Sequence, residues 1–193
     1  MNTIKDTIEN TLIIKNSKFI TIIYNINNIN DIDNYLNLVK DKYKDATHYC
    51  YAYILPNNIK CSDDGEPSGT AGKPILDVLT KNNLCFVLAI VIRYFGGIKL
   101  GAGGLIRAYS KCISSCLNNT KLTKLILGKN IDIYFTYKDI NDIDLLLTNY
   151  RINSKNYQDI INYNVDIPDS LLPILSNKYQ IKINKDIHIK SDM

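Results

Sequence analysis

The chain has 193 residues with 46% hydrophobic and 22% charged side chains and a formal charge of +4, the balance of a globular protein that buries one large core or two small ones. Its longest apolar run, residues 84–92, is too short to span a bilayer, and the opening MNTIKDTIENTL carries charges where a secretory signal needs an apolar stretch. Five cysteines, odd in number and with no C-x-x-C pair, argue for a reducing compartment. The expectation is a cytoplasmic protein with no membrane partner.

Residues 11–26 are β-branched and interrupted at Asn16-Ser17, which predicts two antiparallel strands with Lys15, Ser17, Lys18 and Phe19 around the turn. Residues 31–43 place Ile32, Tyr35, Leu36 and Val39 at helical spacing, with Asp31 as the expected N-cap and Lys40, Lys42 and Lys44 suited to the C-terminal dipole. Residues 47–55 alternate as a strand, with His48, Cys50 and Ala52 on one face and Tyr49, Tyr51 and Tyr53 on the other, up to a turn at Pro56-Asn57-Asn58. Residues 60–73 read as a loop. Pro74 then sits in the first turn of a helix running to about Leu79, where its missing N–H costs nothing.

Residues 84–95 are almost continuously apolar and predict a central strand covered on both faces. It carries Arg93 into a second loop, residues 96–104. From Leu105 an apolar stripe through Tyr109, Cys112, Cys116, Ile106, Ile113 and Leu117 predicts a helix ending near Asn118-Asn119. Cys112 and Cys116 on that stripe read as core packing in preference to half of a metal site. The composition shifts around Gly128, which sets the expected domains at 1–127 and 128–193. The second follows as a strand (130–137), a helix (139–149), a hairpin (152–167), a helix (168–179) and a strand (180–190). That βαββαβ order is the ferredoxin-like, split βαβ arrangement. Residues 191–193 are expected to fray. The expected fold class is α+β in two domains.

The chemistry concentrates between Lys60 and Ser110. Of 9 glycines only Gly128 lies outside this stretch, and glycine so concentrated implies backbone shapes or close approaches that a Cβ forbids. A strand entering a Gly-rich loop and then a helix presents N–H groups to an anion. Arg93, Lys99 and Arg107 flank Gly96, Gly97, Gly101 and Gly103, and residues 1–125 carry 15 basic and 10 acidic side chains against 8 and 9 in the remainder, so an anionic partner meets the first part. Asp63, Asp64 and Glu66 of the first loop read as a solvated turn, metal ligands, acid/base groups, or partners of those three bases. Ser68, Gly69 and Lys73 complete the candidate binding set. Gly69-Thr70-Ala71-Gly72-Lys73 is no P-loop: Pro67 stands where its first glycine belongs and Pro74 where its Mg²⁺-binding hydroxyl belongs. His48 and Ser68 with Asp64 lack the G-x-S-x-G elbow of a hydrolase. No catalytic residue, metal or cofactor is assigned.

Four strings carry a resemblance: Lys15-x-Ser17-Lys18-Phe19-Ile20; Asp45-Ala46-Thr47-His48 with Cys50-Tyr51-Ala52; SDDGEPSGTAG from Ser62; and RYFGGIKLGAGGL from Arg93. In these the sequence resembles the IMPACT family, the YigZ-like proteins. The resemblance implies a ribosomal protein S5 domain 2-like N-terminal domain and a ferredoxin-like C-terminal domain similar to the last domain of translocating elongation factors. It also implies a tie to translation, since eukaryotic relatives regulate it under amino-acid starvation through an additional N-terminal domain that this chain is expected to lack. The function expected is a regulatory protein that binds RNA, the ribosome or a translation-regulatory protein through the two Gly-rich loops. The alternative is a hydrolase or phosphotransferase acting on a small anionic substrate at the same loops.

Overall fold

The computed structural model describes residues 1–118 and 120–191, in two compact units that divide between Thr123 and Lys124. The first unit runs β1 (Asn2–Thr3), β2 (Ile8–Ile14), β3 (Ser17–Asn25), α1 (Asn30–Lys42), β4 (His48–Leu55), β5 (Asn58–Ser62), α2 (Gly72–Lys81), β6 (Val87–Tyr94) and α3 (Ala102–Asn118). Its antiparallel sheet has the order β2-β3-β6-β4-β5. The central β6 is buried from Val87 to Arg93, as its unbroken apolar run requires of a strand covered on both sides.

Strand alternation sorts the two faces. Ile20, Ile22 and Tyr24 of β3, Leu88, Ile90 and Ile92 of β6, and Tyr53 and Leu55 of β4 pack with Ile32 and Val39 of α1. The intervening residues, Phe19, Cys50, Ala52, Ala89 and Val91, are equally buried and lie under α2 and α3, which contact β4 and β3. His48, Cys50 and Ala52 thus share the face that their spacing predicts.

The β2–β3 turn falls at Lys15-Asn16, both with positive φ (45° and 63°), as a tight two-residue hairpin requires. Three local expectations are corrected. Asp31 lies inside the first turn of α1, and its carboxylate reaches back to accept the N–H groups of Asn27 and Asn28, so it orders the entry loop and is not the N-cap. Residues 58–62 are β5, paired with β4 from Leu55↔Asn58 to Tyr51↔Ser62. A two-residue turn suffices there, and the weakly β-prone Lys60-Cys61-Ser62 is held by its partner's hydrogen bonds. Gly103 and Gly104 belong to the first turn of α3, so the second loop proper ends at Gly101.

The second unit contains β7 (Thr123–Phe135), a 3-10 turn (Tyr137–Asp139) into α4 (Ile140–Leu146), β8 (Arg151–Asn156), β9 (Ile161–Pro168), a 3-10 turn (Asp169–Leu171) into α5 (Leu172–Ser176), and β10 (Gln180–Ser191). The antiparallel order is β10-β7-β9-β8. Ile131, Ile133, Phe135, Tyr163, Val165 and Ile167 form a core with Ile143, Leu147 and Leu175 of the helical layer. The side chain of Thr136 and that of Asp139 cap the entry to α4 reciprocally, a capping box. Both helices are shorter than their apolar spacing predicts, and β7 begins ahead of residue 130. Ser191 closes β10, and residues 192 and 193, where fraying is expected, lie outside the described residues, as does Asn119 at the expected end of α3.

All five cysteines are free, and Cys112 and Cys116 are buried within α3. Among the described residues no group of three or more His, Cys, Asp or Glu side chains is arranged to hold a metal, and no helix is long and apolar enough to cross a membrane.

Gly128 marks a close strand approach. A Cβ there would lie 2.4 Å from the Ile167 carbonyl oxygen and 2.6 Å from Ile189 Cδ1. Gly128→Ala is therefore expected to cost at least about 2 kcal/mol, read as an earlier thermal unfolding transition. A variant as stable as the parent would contradict this packing.

Candidate functional site

Arg93 sits near the end of β6, in register with Phe19 of β3 and His48 of β4. It is an inward-facing position of an otherwise apolar strand, and the residue is only 4% exposed. A buried guanidinium needs a partner, and Glu66, 8% exposed, supplies it. Arg93 Nη1 donates to Glu66 Oε1 at 2.6 Å and Nη2 to Ser17 Oγ at 3.4 Å, while Nε is buried without a hydrogen-bond partner. The guanidinium carbon lies 5.3 Å from the ring centre of Phe19 and 5.5 Å from that of Phe95, within cation–π range.

Tyr109 of α3 donates to the same Glu66 oxygen at 2.8 Å and meets Phe19 edge-on. The Cys50 thiol lies 3.3 Å from the Tyr109 hydroxyl and 2.9 Å from the Asp63 carbonyl. His48 Nδ1 is 2.8 Å from the Asp64 carbonyl, which can only accept, so Nδ1 carries the hydrogen and Nε2 faces Glu66 Oε2 at 3.9 Å. Burial first, then Cys50 and the Glu66 carboxylate, push the Tyr109 phenol far up, and burial pushes the Cys50 thiol up to about 12. Neither ionises near neutral pH, so Cys50 is a packed thiol and no nucleophile.

The first loop folds around Asp63. Its Oδ1 accepts the N–H groups of Ala71 and Gly72 at 2.9 and 2.8 Å, and its Oδ2 that of Gly69 at 2.8 Å. Burial raises this carboxyl's pKa, but the three N–H bonds together outweigh that and hold it below the usual carboxylate range. Asp64, with φ of 43°, accepts the Tyr49 N–H at 2.6 Å. All three acids are thereby tied to the protein's own donors: Asp63 and Asp64 make the side-chain to backbone bonds expected of a polar turn, whereas Glu66 is buried and the solvated-turn reading is corrected for it. Ser68 and Gly69 are exposed. Lys73 pairs with Asp77 one turn along α2 at 2.8 Å. His48, Ser68 and Asp64 form no relay, because His48 meets the Asp64 carbonyl and the carboxylate is taken by Tyr49.

The second loop is pinned at one end and open at the other. The Gly96 N–H donates to Ser17 Oγ, and a Cβ at Gly96 would lie 2.1 Å from Asn16 backbone atoms. Gly97 and Gly101 adopt φ of 83° and 70°, and a Cβ at either meets open space. Along this loop and the first turns of α3, Phe95, Ile98 and Ile106 are 43–47% exposed, Lys99 and Arg107 are exposed, and Gly103 lies beside the Arg107 guanidinium. Of the expected pairings of acids with bases, the fold makes one, Glu66 with Arg93, and puts it in the interior. Sequence reasoning overlooked Tyr109 and Phe95 as parts of this arrangement, although a lone arginine at an inward position of an apolar strand signals a buried acid partner.

Comparison with known proteins follows the same residues. The Impact N-terminal domain model matches residues 15–117, more than half of the chain and every residue of the Arg93 cluster. The chain belongs to the IMPACT family. It is 46% identical over 120 residues to the IMPACT family member YvyE of Bacillus subtilis (strain 168), covering 61% of this chain and 55% of that protein, so the match spans about half of that relative's length. It is 30% identical over 172 residues to the IMPACT family member YigZ of Escherichia coli (strain K12), covering 86% and 84% of the two chains. A solved structure described as the crystal structure of a hypothetical protein matches with a TM-score of 0.72 at 26% identity, covering 95% of this chain and 97% of that one.

Glu66→Ala is expected to destabilise the chain by about 3–5 kcal/mol, because it strands a buried charge, whereas Glu66→Leu/Arg93→Met together should recover most of that loss. Denaturant unfolding of the three proteins checks it. For Asp63, whose pKa is lowered on folding, the stabilisation is complete at neutral pH and fades as pH falls below the ordinary carboxylate range toward the folded value. Asp63→Asn should lower stability at pH 7 and remove that part of the acid dependence in urea melts run from pH 7 to pH 3.

Proposed function

We propose that this IMPACT-family chain is a cytoplasmic regulatory protein of translation that recognises RNA through the second Gly-rich loop of its first unit, with the ribosome as the setting. One observation carries the reading. Asp63, Asp64 and Glu66 are occupied by internal donors, while the second loop and the start of α3 expose Lys99 and Arg107 together with Phe95, Ile98 and Ile106. Bases beside an aromatic and aliphatic side chains on a glycine-shaped backbone suit phosphates and unstacked nucleobases together. The basic balance of residues 1–125 supports the same sign of partner.

In this reading the first unit is the ribosomal protein S5 domain 2-like domain and the second, with its βαββαβ order, is ferredoxin-like. The domain limits expected from the sequence, 1–127 and 128–193, lie four residues beyond the division of the units between Thr123 and Lys124, and the regulated process is translation under nutrient stress. The loop positions Gly69, Gly96, Gly97, Gly101 and Gly103 act through backbone shape, and Lys73 and Ser68 lie at the margin of the surface. The anchoring pair Glu66–Arg93 holds the two loops and contacts no partner.

Co-sedimentation with ribosomes and with free single-stranded RNA, across a salt series, tests the proposal. Lys99→Ala/Arg107→Ala should weaken binding at low salt and reduce the dependence of log affinity on log salt by about one to two, with the thermal melt unchanged. Unchanged binding by that variant at low salt would remove this loop from RNA recognition.

A further inference from the structure

The second unit's sheet has one face packed on α4 and α5 and one face without helices. On that second face, one register row crosses all four strands: Gln180 of β10 opposite Tyr134 of β7, Tyr134 opposite Asn162 of β9, and Asn162 opposite Asn156 of β8. The alternation is fixed by the neighbours of these residues, since Ile133, Phe135, Ile161, Tyr163 and Ile181 pack into the core. The row is three amides around one phenol ring, and it lines a concavity of about 530 Å³ together with Gln158, Asp159 and Ile160. That lies within the roughly 300–1,000 Å³ of small-molecule sites.

The next rows along the face are closed to ligands by their own bonds. Asn130 donates to Asn164 and Asp166 at 2.9 and 2.6 Å, and Asn164 donates to Asn130 and Asp132 at 3.1 and 2.7 Å. Asn153 and Asn184 donate into the same network. Against this interlocked ladder the Asn162 amide nitrogen is the exception, buried and without a partner. A buried donor left unpaired costs free energy that an acceptor from a ligand or a water removes.

We infer that this row is a site for an unpaired nucleobase, with the Tyr134 ring as the stacking surface and the Asn162, Asn156 and Gln180 amides meeting the base edge. Amides offer donor and acceptor side by side, which is what base edges present in alternation. A single sheet row is flat, which suits a planar ligand. The concavity has no lysine or arginine in its lining and carries Asp159, which turns away a phosphate or carboxylate as the group bound within it. Lys182, exposed two residues further along the same face of β10, supplies a cation for a sugar-phosphate backbone running past. This site is separate from the Gly-rich loops and stands whether or not they bind RNA.

The test uses the full chain, ¹⁵N-labelled, titrated at high salt with the four free nucleosides, with nine-nucleotide homopolymers of U, C, A and G, and with a panel of hexoses. High salt suppresses phosphate contacts and leaves stacking. The expected result is movement of the Asn162 side-chain amide resonances with at least one nucleoside or homopolymer. Tyr134→Ala should weaken that affinity at least about fivefold, Tyr134→Phe should retain it, and Lys99→Ala/Arg107→Ala should leave nucleoside affinity unchanged. Nucleosides alone binding would identify a free nucleoside as the source, and tighter binding of the homopolymers would identify a single strand. The inference is overturned if no base-containing probe moves Asn162, if hexoses move it and bases do not, or if Tyr134→Ala and Asn162→Ala bind bases as the parent does.

Discussion

The ion pair of Glu66 with Arg93 is the contact on which the first unit depends. Removing two charges from water costs several kcal/mol each, and mutual attraction offsets that only where the geometry is good and the other polar atoms are met. Here Glu66 Oε1 receives both Arg93 and Tyr109, Ser17 takes the second guanidinium nitrogen, and the rings of Phe19 and Phe95 flank the cation. Five stretches far apart in the chain, β3, the 62–72 loop, β6, the 95–101 loop and α3, are fixed to one another at this point. A hydrophobic cluster of equal volume would give comparable stability, but it would not determine which loop residue turns inward.

That determination organises the surface. Glu66 inward pulls the first loop over the end of the sheet, and Asp63 gathers the Gly69, Ala71 and Gly72 N–H groups around one carboxylate. The loop that looks most like an acidic or metal-binding site therefore has its acids engaged from within. The second loop is held by Gly96 against the β2–β3 turn and is open beyond it, so its bases and apolar side chains face outward.

Much of the fold was legible because period and position agreed. The alternation of residues 48–53, the unbroken apolar run into Arg93, and the βαββαβ order of the second half each follow from a single periodicity. What escaped had a physical cause. β5 is made of Lys60, Cys61 and Ser62, whose own preferences are weak and whose conformation is imposed by β4. The Asp31 carboxylate serves N–H groups before it in sequence, which no helix-start pattern distinguishes from a cap. Gly128 looked like a boundary, and its role lies in a carbonyl on β9 that only the folded sheet brings near. In the site, acid and base were visible as residue types, but which acid turns inward depends on Tyr109, a residue whose helical spacing marks it only as core.

The separation of inward acids from outward bases is tested most directly by following backbone amide resonances of the ¹⁵N-labelled full chain as single-stranded RNA is added. Within the first unit, the account predicts shifts at Gly97, Ile98, Lys99, Gly101 and Arg107, with Gly69, Ala71 and Gly72 unmoved on Asp63. Shifts centred on Gly69 to Gly72 and His48, with Lys99 and Arg107 silent, would contradict it.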